Sequence, residues 1–74
     1  MNEGEITSHF LKQRYVISDA LKQVGLTILA EDAGSQEDEA ILRAYLLKAE
    51  RVAHQNQNTD VLEQLWSAGL IYGY

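Results

Sequence analysis

Apolar residues recur along this chain at helical spacing, and nowhere do they alternate with polar ones for long enough to form a strand. Between about Ile6 and Glu31, the residues Ile6, Phe10, Ile17, Ala20, Leu21, Val24 and Ile28 share one sector of a helical projection. A second, thinner stripe holds Leu11, Tyr15, Leu26 and Leu29 and is interrupted by Ser18 and Lys22. Because a helix apolar on two sides has to be covered on two sides, this segment asks for more than one neighbour. Gly25 is its weak point, costing up to about 1 kcal/mol against alanine inside a helix. The pattern predicts one unbroken helix over 6–31, with a split at Gly25 and a continuation capped by Thr27 as the alternative.

Turn residues collect at Asp32-Ala33-Gly34-Ser35 and at Gln55-Asn56-Gln57-Asn58. The stretch between them predicts a second helix over about 36–54. Ser35 and Asp38 resemble a capping box, acids crowd the first turn, and Lys48 and Arg51 sit towards the far end, where they complement the helix dipole. Glu39 and Arg43 form an i,i+4 pair in the favourable order. Ile41, Leu42, Tyr45, Leu46, Ala49, Val52 and Ala53 supply its apolar face. A third helix is expected over about 60–69, with Thr59 as N-cap and Leu62, Leu65, Trp66 and Gly69 on one side. Residues 70–74, Leu-Ile-Tyr-Gly-Tyr, form an apolar and aromatic tail that is not expected to be left loose in water.

These elements predict an all-α fold: one domain over 1–74, built as a small antiparallel three-helix bundle with a long first helix. At 1.5 Å per residue the three helices would measure about 39, 28 and 15 Å. The shorter two cannot cover both stripes of the first, which leaves apolar surface near Phe10, Leu11 and Tyr15. That mismatch predicts a homodimer or a partner-binding surface. With 74 residues and no cysteine, no disulfide can supplement so small a core, and self-association is one way to add stability.

Composition narrows the function classes. A net charge of −5 argues against a phosphate-binding surface, because nucleic-acid affinity rests on clustered Lys and Arg. The acidic start Met1-Asn2-Glu3-Gly4-Glu5 does not resemble a secretory signal, and no apolar run approaches the roughly 20 residues of a membrane span. A soluble, cytoplasmic protein that contacts neither nucleic acid nor membrane is expected. The chain has no cysteine nucleophile, no G-x-S-x-G elbow and no phosphate-cradling glycine loop. His9 and His54 lack metal-ligand spacing, so neither a metal, a cofactor nor catalysis is expected.

Two features remain. Glu31, Asp32, Glu37, Asp38 and Glu39 place five carboxylates in nine residues with no base among them. They read either as a contact patch for a basic partner or as acids stabilising a helix N-terminus. Among the aromatics, Trp66 is expected in the core with its N–H bonded to a backbone carbonyl, whereas tyrosines suit interfaces that stay partly wet. The expected function is a non-catalytic interaction module, an adaptor, regulator or inhibitor docking through Phe10, Leu11, Tyr15, Tyr72 and Tyr74 to another protein with a basic surface. The alternative is an acidic blocker or partial nucleic-acid mimic, such as a phage-encoded inhibitor of a nucleic-acid-binding host protein.

Overall fold

The computed structural model describes residues 8–74, with side-chain surroundings given from Phe10 onward. Over these residues the chain forms five α-helices and no strand: α1 (Ser8–Lys12), α2 (Arg14–Gln23), α3 (Thr27–Ala33), α4 (Glu39–Gln55) and α5 (Thr59–Ser67). The all-α expectation therefore stands for the described chain. The single helix over 6–31 does not. It is divided into α1, α2 and α3, while its expected start at Ile6 lies outside the described residues.

The main break is at Gly25, whose φ of +87° lies in the left-handed region that glycine enters without steric cost. Its N–H donates to the Lys22 carbonyl at 3.0 Å, and the Leu26 N–H donates to the Leu21 carbonyl at 2.8 Å. This pair of bonds is the Schellman arrangement, which satisfies the last carbonyls of α2 and turns the chain out of the helix. The same pattern ends α4, where Gln57 (φ 55°) donates to His54 and Asn58 donates to Ala53. It also ends α5, where Gly69 (φ +77°) donates to Trp66 and Leu70 to Leu65. A lesser interruption lies at Gln13. There the backbone takes φ −89° and ψ 12°, and the Arg14 Nε–H donates to the Leu11 carbonyl at 2.9 Å.

Breaking the first segment changes what covers what. After Gly25 the chain doubles back, so that α3 packs on α2 and the Ser18 hydroxyl donates to the Ala30 carbonyl at 2.7 Å. The small side chains Ala20, Ala30 and Ala33 are fully buried there. The segment thus covers part of its own second flank. The phase of the apolar stripe also restarts at the break, which is why Ile28, expected inside, is 81% exposed.

Helix α2 is the hub, packing against α1, α3, α4 and α5, while α4 also packs on α1, α3 and α5. One core cluster joins Ile17 and Leu21 of α2, Leu42, Leu46, Ala49 and Ala53 of α4, and Val61, Leu62 and Leu65 of α5, with Ile71 closing it from the tail. A polar link runs alongside: Gln23 Nε2–H donates to Asp19 Oδ2 (2.7 Å) and Gln64 Oε1 (2.8 Å), and Gln64 Nε2–H donates to Asp19 Oδ2 (2.9 Å). These bonds, Gln64's first, hold the Asp19 carboxyl below its ordinary range.

Both later helices start differently from the expectation. The Gln36 side chain folds onto the loop, its Oε1 accepting from the Glu37 and Asp38 N–H groups, so α4 begins only at Glu39. Its N-cap is Asp38, which accepts from the Ala40 N–H at 2.9 Å and replaces the expected Ser35 box. For α5 the cap is Asn58, accepting from the Val61 N–H at 3.3 Å, and Thr59 is already in the helix.

Candidate functional site

The most accessible aromatic surface of the described chain is built by α5 and the tail. Helix α5 turns Val61, Leu62 and Leu65 inward and leaves Asp60, Glu63 and Trp66 facing solvent. Trp66 is not a core residue, being half exposed. The cause is a rotation of the apolar stripe: complete burial of Val61 shifts the inward face away from Trp66, which comes to lie at its edge.

The turn at Gly69 then redirects the chain. Leu70 packs partly against the core and Ile71 is buried, which pins the tail near its start. Residues beyond that anchor lie on the surface, with Tyr72 fully exposed and Tyr74 lying against Trp66. The two rings meet edge to face, with centroids 6.1 Å apart and planes inclined at 69°. Such pairing orders a large, partly apolar surface without removing it from water.

The five expected docking residues do not form one patch of this kind. Phe10 and Leu11 are half-buried against the core, and the Arg43 guanidinium lies 4.4 Å from the centre of the Phe10 ring. Tyr15 is exposed on α2. Tyr74 pairs instead with Trp66, which the helical spacing directs inward, and Tyr72 is fully exposed in the same tail.

The acidic run is similarly divided. Asp32 accepts from the Tyr45 hydroxyl and from Gln36 Nε2–H, Asp38 caps α4, and Glu39 pairs with Arg43 at 2.8 Å. Glu31 and Glu37 are exposed and form no side-chain bond among the described residues. The hydrogen bond to Asp32, reinforced by burial and the carboxylate's charge, raises the Tyr45 phenol above its ordinary value.

His54 approaches Glu50 at 3.9 Å on α4, and the His9 side chain lies outside the described surroundings. Among the described residues no group of three His, Cys, Asp or Glu is placed to hold a metal ion, and no helix is long and apolar enough to cross a membrane. A surface depression of about 360 Å³ is open and lined by Gly25, Leu26, Thr27, Ile28 and Leu29. It presents backbone and apolar side chains rather than a set of converging polar groups. Comparison with protein-family models, curated proteins and solved structures finds no match to this chain.

Proposed function

We propose that this protein is a non-catalytic interaction module that docks to a partner protein through the α5–tail face. The observation that carries the reading is the exposed edge-to-face pair of Trp66 and Tyr74, with Tyr72 beside it in sequence and Ile71 anchoring the tail below. Tryptophan and tyrosine are the residues that most often dominate binding energy at interfaces, because each offers a wide surface at a low entropic cost. Three of the five carboxylates in the acidic run already serve intramolecular contacts, which supports docking through aromatics over blocking through charge.

The main argument for a homodimer is a first helix too long to be covered, and α3 folded back on α2 weakens it. The proposed docking surface keeps Tyr72 and Tyr74 and adds Trp66. Photo-crosslinking in the source cell tests the reading. A benzophenone amino acid at Tyr72 is expected to give a discrete adduct that the same group at Lys48 on α4 does not. Identical adduct patterns at both positions, or none at Tyr72, would contradict it.

A further inference from the structure

We infer that the partner segment taken by the α5–tail face carries arginine. The inference rests on the docking reading and adds the chemistry of its occupant. The sequence from Val52 to Tyr74 contains no Lys or Arg, while Asp60 and Glu63 stand exposed on α5. Glu63 precedes Trp66 by three residues and so shares its side of the helix. Neither carboxylate forms an ion pair among the described residues. The face therefore combines aromatic rings with unneutralised negative charge, and a planar guanidinium answers both at once. Guanidinium stacks on aromatic rings, is more weakly hydrated than an ammonium, and bonds carboxylates through a rigid fork of donors. The fold already uses this chemistry internally, where Arg43 lies over Phe10 while its Nη2–H bonds Glu39.

A second copy suits the face less well. Two copies meeting through the same patch would bring both Glu63 carboxylates into one interface with no base from either α5, between chains that each already carry −5. Acidic and wholly apolar partners would leave these carboxylates facing like charge or buried without a partner.

Trp66 is the only tryptophan, so its fluorescence reports on this face alone. The full chain is titrated with short peptides of alternating arginine and glycine, lysine and glycine, or glutamate and glycine. Saturable change with the arginine peptide is expected, about five-fold tighter than with lysine, and none with glutamate. By calorimetry, Trp66→Leu is expected to abolish the preference for arginine over lysine. Glu63→Gln, an exposed change that leaves the core untouched, should weaken arginine binding about three-fold, with circular dichroism confirming that both variants remain helical. Three results would overturn the inference: no saturable binding, equal affinity for arginine and lysine with Trp66→Leu unchanged, or self-association that covers Trp66. If crosslinking from position 72 still yields a discrete partner in those cases, docking stands and only the arginine assignment falls. If it yields none, both fall.

Discussion

Asp32 shows what one residue's neighbours add to its identity. In the sequence it is one of five acids in a run, with nothing to separate it from Glu31 or Glu37. In the fold it accepts the Tyr45 hydroxyl and raises that phenol's pKa. A raised folded value means that the interaction stabilises the fold fully below the unfolded tyrosine value of about 10 and is lost as pH rises through the folded value. Ultraviolet titration should therefore show that Tyr45→Phe removes a phenol ionising above that range, and that Asp32→Asn brings the Tyr45 ionisation down. A Tyr45 titration unaffected by Asp32→Asn would contradict the contact. Trp66 teaches the same lesson from the apolar side. Helical spacing alone placed it with Leu62 and Leu65, but Val61 competes for the same face, and only one of the two can be central.

At the scale of the element, helix spacing was legible because apolar residues in α4 and α5 repeat over several turns and end in recognisable turn residues. The first segment departs from its pattern because periodicity reports which residues share a face only while the helix continues. Gly25 ends it, and Leu26, Leu29 and Ala30 then belong to a new helix with its own phase. No atom lies within 4 Å of where a Cβ on Gly25 would stand, so substitution there costs backbone strain and not a clash. Gly25→Ala should accordingly destabilise the fold by about 1–2 kcal/mol, seen as a lower urea midpoint. Gln57 holds a comparable left-handed conformation with φ 55°, and Gln57→Gly should raise stability by about 0.5–1 kcal/mol despite glycine's greater freedom when unfolded. A Gly25→Ala variant with higher stability and more helix would mean that α2 and α3 are one continuous rod.

At the scale of the whole molecule, the Cα trace measures 42 × 25 × 15 Å, about two helix layers thick at its thinnest. So thin a body cannot bury all the apolar residues that its sequence supplies, and Tyr15, Ile28, Leu47, Trp66, Tyr72 and Tyr74 remain outside. Of the residues expected to lack cover, Tyr15 is exposed while Phe10 and Leu11 pack against the core, and the other exposed apolar residues lie elsewhere. Core and surface should separate cleanly in mutagenesis. Leu65→Ala should cost about 2–5 kcal/mol, whereas Tyr72→Ala should stay within about 0.5 kcal/mol, both read from urea unfolding.

Docking through the α5–tail face, as proposed, depends above all on Trp66 lying at the surface. Acrylamide quenching of its fluorescence, compared between the native and the urea-unfolded chain, measures this directly. The structure predicts red-shifted native emission and a quenching constant a substantial fraction of the unfolded one, in keeping with a half-exposed ring. Blue-shifted emission that resists acrylamide until the chain unfolds would place the indole in the core and contradict the proposed docking face.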